Sequence, residues 1–196
     1  FFSAHISGGT ANFAWFLGTP GNLQALMSTA DTLPTGARVR LSNPASSGGN
    51  GNNNNLFVAF AANLTGGQTA IFVKNASLGT TTQVVNEGDA IPGLGGETFI
   101  QRATSTGVKP FYLNDNGQVV FPAFLTGNSQ AILLAGPYAN LVTKVAAMGD
   151  TAPVTGSPTF TGLDFSSNTT ALTPINASGK VAFYGNLSNG LSGIFL

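Results

Sequence analysis

The chain has 196 residues, with 7 Lys and Arg against 7 Asp and Glu and no cysteine. Zero net charge leaves no basic footprint for nucleic acid, and no apolar run approaches the ~20 residues of a membrane-spanning helix. The missing cysteines exclude disulfides, thiolate metal sites and cysteine nucleophiles together. Only 7% of residues are charged and 15 are Phe, against roughly 25% charged in an ordinary domain, so the chain collapses rather than staying disordered. No basic segment or cleavage site stands at Phe1-Phe2, as expected of a processed chain or a fragment.

Taken in chain order, the predicted elements repeat. Phe1-Phe2 opens a strand, followed by His5-Ile6-Ser7-Gly8-Gly9, a strand around Trp15, a strand over Leu23 to Met27, and Thr29-Ala30-Asp31-Thr32-Leu33-Pro34. A low-complexity run, Gly48 to Asn55, then reads as a surface loop. The series restarts with Asn53 and Val58-Ala59-Phe60, then Asn63-Leu64-Thr65-Gly66-Gly67, Ala70-Ile71-Phe72-Val73, Thr82 to Val85, Glu87-Gly88-Asp89-Ala90-Ile91-Pro92, and a strand from Phe99 to Ala103. The third pass has Asn114-Asp115-Asn116-Gly117 before Val119-Val120-Phe121, Phe124-Leu125-Thr126-Gly127, Ala131 to Leu134, Leu141 to Ala147, Met148-Gly149-Asp150-Thr151-Ala152-Pro153, and Phe160 to Phe165. The fourth starts at Asn176-Ala177-Ser178-Gly179 and Val181-Ala182-Phe183, continues through Asn186-Leu187-Ser188-Asn189-Gly190, and reaches a strand over Ser192 to Leu196. Three signatures in one order and one phase define a tandem repeat of about 60 residues.

Gly, Asn, Asp and Pro clusters separate the apolar runs, and no segment sustains a helical period. The expected fold is all-β: tandem units of four short antiparallel strands, propeller-like, with a β-sandwich or stacked small sheets as the alternative. The units are placed at residues 1–57, 58–118 and 119–180, with a terminal half unit at 181–196. Asn116-Gly117 reads as a two-residue hairpin with both residues at positive φ. Phe2, Phe60, Phe121 and Phe183 fall at equivalent positions and are expected in the core, and core packing is also the expected role of Trp15 and its flanking Phe13 and Phe16.

No set of residues carries a catalytic pattern. His5 is the only histidine, too little for a zinc site or a Ser-His-Asp triad, and it reads as a polar residue on a strand surface. Asp31, Asp89 and Asp150 recur in phase; each carboxylate is expected to accept main-chain N–H groups in a turn ahead of a proline. One carboxylate per repeat is thin for a calcium site, and Glu87, Glu97, Asp115 and Asp164 do not form the facing pair that glycoside hydrolysis needs. The reading is of a protein that is not an enzyme and has no cofactor and no metal site. Asn63, Asn75, Asn168, Asn176 and Asn186 begin Asn-x-Ser/Thr sequons and are possible glycan sites. Asn53, Asn114 and Asn176 head the repeated turn and are read as structural.

The spacing Asn-x-x-Gly-x-x-x-Phe, complete at Asn114, Gly117 and Phe121 and at Asn176, Gly179 and Phe183, and partial at Asn53 and Phe60, resembles the bacterial tandem-repeat proteins named for an NxxGxxxF motif. The Gly-Asp-x-x-Pro segments at Gly88 to Pro92 and Gly149 to Pro153 resemble them too. The resemblance implies an exported or surface-attached β-repeat protein with no established catalytic residues. The expected function is that of a structural extracellular protein that self-assembles into filaments or a surface layer through strand and edge contacts. Val181 to Leu196, which holds no charged residue, is expected to complete a sheet on a neighbouring copy. The alternative is a cell-surface module binding carbohydrate or protein. The expected partners are copies of the chain, with glycans as candidate partners, and no nucleic acid and no membrane span.

Overall fold

A computed structural model describes residues 2–5, 13–19, 21–32, 39–40, 57–64, 66–75, 77–100, 112–136, 142–164 and 175–196. All of the regular structure in them is strand, in four small antiparallel sheets. The first sheet has the order β1-β2-β3, from β1 (Phe2–His5), β2 (Phe13–Thr19) and β3 (Asn22–Ser28). The second runs β4-β5-β6-β7, from β4 (Val39–Arg40), β5 (Phe57–Leu64), β6 (Thr69–Asn75) and β7 (Thr80–Asn86). In the third, β8 (Phe99–Ile100) and β9 (Tyr112–Leu113) both pair with β10 (Val119–Leu125), which is followed by β11 (Gln130–Ala135) and β12 (Val142–Ala147). The fourth is β13-β14-β15, from β13 (Phe160–Asp164), β14 (Phe183–Leu187) and β15 (Ser192–Phe195).

The repeat is visible in the register. Phe2 faces Phe16, Phe60 faces Phe72, Phe121 faces Leu133 and Phe183 faces Phe195 across the first hairpin of each sheet. The next pairing slips by one residue at the same place in three sheets, between Trp15 and Phe16, Ile71 and Phe72, and Ile132 and Leu133. A bulge that recurs at one register position is a built feature, bending the third strand with extra local twist. In the second, third and fourth sheets the first hairpins close through three-residue loops: the αL residue is Gly67, Asn128 or Gly190, and Leu64, Leu125 and Leu187 each accept its N–H.

The fourth strand of each unit does not stay with its own sheet. β4, β8 and β13 pair with β5, β10 and β14, the first strands of the units that follow. A reciprocal main-chain and hydroxyl pair fastens two of these joints. Thr98 N–H meets Thr126 Oγ1 while Thr126 N–H meets the Thr98 carbonyl, and Thr159 and Ser188 repeat the arrangement.

The sheets pack face on face. On β10 and β11, Val119, Phe121, Ala123, Leu125, Ala131, Leu133 and Ala135 face the second sheet and pack with Ala59, Ile71 and Val73. The alternate residues Val120 and Ile132 face the fourth sheet and pack with Phe160, Phe183 and Leu187. The third sheet is therefore buried on both faces, so its strands read as continuous apolar runs rather than alternating ones. On β6 the face away from the third sheet carries Ala70, Phe72 and Lys74, all buried, and Lys74 Nζ donates to the Ala25 carbonyl of β3 at 3.4 Å.

This arrangement corrects the propeller reading. The sheets are stacked and none closes into a barrel, which is the stacked-sheet alternative. It also changes the fate of residues 181–196. Phe183 to Leu187 pair with β13 of the same chain, so the half unit is not free to be donated whole. The Asn116-Gly117 hairpin is a three-residue loop instead: Gly117 has φ 74°, its N–H meets the Asn114 carbonyl at 3.0 Å, and Asn116 is not among the positive-φ residues.

Phe121 and Phe183 are buried; Phe121 meets Phe99 edge-on at 6.0 Å. In the fourth sheet the cluster gains a third ring. Phe160 stands edge-on to Phe183 at 5.7 Å and to Phe195 at 4.9 Å, and Phe183 stacks on Phe195 at 5.7 Å. The extra ring requires Gly185 where the third sheet has Ala123, because a Cβ at 185 would lie 2.7 Å from Phe160 and 3.0 Å from Phe195. Gly185→Ala should cost about 1–3 kcal/mol, read as a lower denaturant midpoint with an unchanged slope.

Lys74 supplies a pH signature. Burial pulls its ammonium below the ordinary lysine value, partly opposed by the Asp31 carboxylate. Between that lowered value and 10.5 the unfolded chain holds a proton that the folded chain has released, so this residue makes stability rise with pH there. Tyr112, raised by burial and then by the Asp164 charge, acts in the opposite sense. The contribution of Lys74 should therefore appear as the difference between the alkaline stability profiles of the wild type and Lys74→Met, the variant lacking the upward component.

Candidate functional site

The repeated asparagine builds a turn. The Asn114 Oδ1 accepts the N–H groups of Asn116 at 3.0 Å and Gln118 at 2.9 Å, while Asn114 N–H donates to the Gln118 carbonyl. Asn176 repeats every bond: its Oδ1 accepts from Ser178 at 3.0 Å and Lys180 at 2.9 Å, and Gly179 N–H meets its carbonyl. Gly179, like Gly117, lies in the left-handed region, with φ 81°. Asn followed three residues later by Gly is thus the chemistry of a type I turn ending in an αL residue.

The two turns also bond to each other. The Asn114 Nδ2 donates to the Asn176 carbonyl at 2.9 Å, across 62 residues of sequence, and to Gln118 Oε1 at 2.7 Å. Asn116 Nδ2 reaches the Ala177 carbonyl at 2.7 Å. The glycine of each turn seats a side chain from the turn region before it: a Cβ at Gly117 would lie 2.8 Å from the Phe57 ring, and one at Gly179 would lie 3.0 Å from Gln118 Oε1. Phe57, which opens β5, is equivalent to Gln118 and Lys180, which precede β10 and β14. The amide nitrogen of the motif asparagine therefore belongs to the stack, and its oxygen belongs to the turn.

Among the described residues, no sheet covers the outer face of the fourth sheet. Ile71 and Ile132 are 1% and 0% exposed under the following sheet, whereas the equivalent Ile194 is 76% exposed. Leu196, equivalent to Val73 and the half-buried Leu134, is 83% exposed. Tyr184, paired with Ile194, shares that outer face and donates to Ser192 Oγ at 2.6 Å. Asn176 is exposed, and its amide nitrogen has no overlying carbonyl among the described residues.

The repeated aspartates close turns. Asp31 accepts from Ser28 N–H at 3.0 Å, Asp89 from Asn86 N–H at 2.7 Å and Asp150 from Ala147 N–H at 2.8 Å, each returning its own N–H to the same residue's carbonyl. Asp150 also holds Lys144 Nζ at 2.8 Å. In the two copies with glycine before the aspartate, the next strand locks on: Gly88 and Asp89 bond the main chain of Phe99, and Gly149 and Asp150 bond that of Phe160. No group of three or more His, Cys, Asp or Glu that could hold a metal occurs among the described residues.

Of the sequon asparagines, Asn176 and Asn186 are exposed, and Asn75 Oδ1 accepts Leu78 N–H at 3.1 Å. Asn53 and Asn168 lie outside the described residues, as does the loop from Gly48 to Asn55. For Phe2, His5, Trp15, Phe60 and Asn63 only the strand backbone is described. No helix among the described residues is long and apolar enough to cross a membrane.

Asn114→Asp preserves the acceptor oxygen of the turn and removes the donor to the next one. With Asn114 buried, this exchange should cost about 2–3 kcal/mol, measured by urea unfolding near neutral pH.

The whole chain, residues 1–196, matches the model of a family of unknown function (DUF7453). No curated protein and no solved structure matches it. By that match along its full length, the chain belongs to the DUF7453 family.

Proposed function

We propose that this chain is a structural protein of the extracellular space or cell surface, which self-assembles into a filament or layer through its terminal sheets. One observation carries the reading: Ile194 is 76% exposed at a position where Ile132 is fully buried by another sheet. An apolar face rimmed by polar residues is the usual mark of an interaction surface. Joined to a different surface of the next copy, such a face gives a head-to-tail contact, which extends as a filament unless its rotation closes a ring. The neutral, weakly charged chain offers little repulsion between copies. The resemblance to NxxGxxxF repeat proteins supports the extracellular setting.

Sedimentation velocity over a concentration series tests this. The unmodified chain should shift to larger species as concentration rises, and Ile194→Asp should hold it at the mass of one chain. A monodisperse monomer at high concentration overturns the reading.

A further inference from the structure

We infer that Asn176, Lys180 and the outer face of the fourth sheet form a docking site for one kind of occupant, another Asn-x-x-Gly turn together with the sheet that it opens. The inference rests on the reading of this face as an assembly surface and specifies what the surface recognises. Two independent sets of groups point to the same occupant. The first is apolar: Tyr184, Ile194 and Leu196 present the positions that Pro122, Ile132 and Leu134 present to the fourth sheet. The second is polar and directional. Asn114 places its amide nitrogen 2.9 Å from the carbonyl of the next motif asparagine, and Asn176 has its amide held by the same turn bonds.

An incoming turn would place its asparagine carbonyl over Asn176 Nδ2 and its glycine beneath Lys180, as Gly179 lies against Gln118. The glycine is needed there for two reasons, its left-handed φ and the absence of a Cβ under the neighbouring side chain. A generic apolar surface would satisfy the isoleucine and leave the amide without an acceptor. A sugar or an unrelated peptide could meet the amide without matching the 62-residue phase between face and turn. A further unit of the same repeat meets both at once.

The site can be tested within one polypeptide by extending the full chain at Leu196 with a second copy of residues 135–196. Leu196 is equivalent to Leu134, so the extension preserves the phase and brings a new third strand, fourth strand, Asn turn and first hairpin. Thermal unfolding by circular dichroism is then compared with and without the extension, for the parent and for Asn176→Asp and Ile194→Asp at the original positions. In the unextended chain at low concentration, both variants should melt within about 1 °C of the parent. In the extended chain, Asn176→Asp should lower the midpoint by roughly 2–4 °C and Ile194→Asp by at least about 6 °C. If both variants are as silent in the extended chain as in the unextended one, or the added residues exchange their amide hydrogens as an unfolded chain, the assignment is wrong. If the unmodified chain self-associates while Asn176→Asp stays silent in the extended one, assembly stands but the Asn turn is not what this face recognises. A monomeric unmodified chain with sensitive extended variants supports the site and removes only self-assembly.

Discussion

The structure depends on sheets that are apolar on both faces. Val119 to Leu125 has no charged residue, and its alternate side chains belong to two different cores, one shared with the second sheet and one with the fourth. A sheet of this kind cannot leave either face in water at the usual cost of roughly 25 cal/mol per Å² of apolar surface, so each sheet needs another on either side. Lys74 shows what happens to a cation on such a face: it is buried, its ammonium is destabilised, and it reaches a main-chain carbonyl of the neighbouring sheet.

Stacking alone would let sheets slide, and two devices fix their relative position. Passing each fourth strand forward to the next sheet ties consecutive sheets through covalent chain and ladder bonds at once. The asparagine turns fix the other end: their directional amide bonds hold only when one turn lies directly over the next. Face burial supplies most of the free energy, while strand transfer and turn bonding choose one alignment among many of similar apolar contact.

Much of this was legible in the sequence because turn chemistry is local. The strand positions and the carboxylate role of Asp31, Asp89 and Asp150 follow from residues within a few positions of one another, and the apolar segments Val119-Val120-Phe121 and Phe124-Leu125 both fall in β10. Strand membership was not legible. Phe160 to Asp164 looks the same whether it closes its own sheet or opens the next, and the choice is made by long-range pairing with Phe183 to Leu187. Closure was also out of reach, since a propeller and a stack share strands and turns and differ in how successive sheets are inclined. The second role of the motif asparagine left a trace that could have been followed. If Asn served its own turn alone, Asp would serve as well as an acceptor, yet both complete copies of the motif keep the amide.

The proposed mode of assembly rests on what the fourth sheet already buries. Donating Val181 to Leu196 to another copy would strip Val181, Phe183 and Leu187 from the core that covers Val120 and Ile132, uncovering a buried apolar face in order to satisfy a strand edge. Extending the stack costs no such exposure. In the proposed stack the sheet would keep β13 on one edge, and Ile194 would take up the contact that its counterpart Ile132 makes in the third sheet. The outer face and the Asn176 amide are offered on the same side, in the phase of a continuing repeat, so growth by addition of whole sheets needs no rearrangement of the sheets beneath.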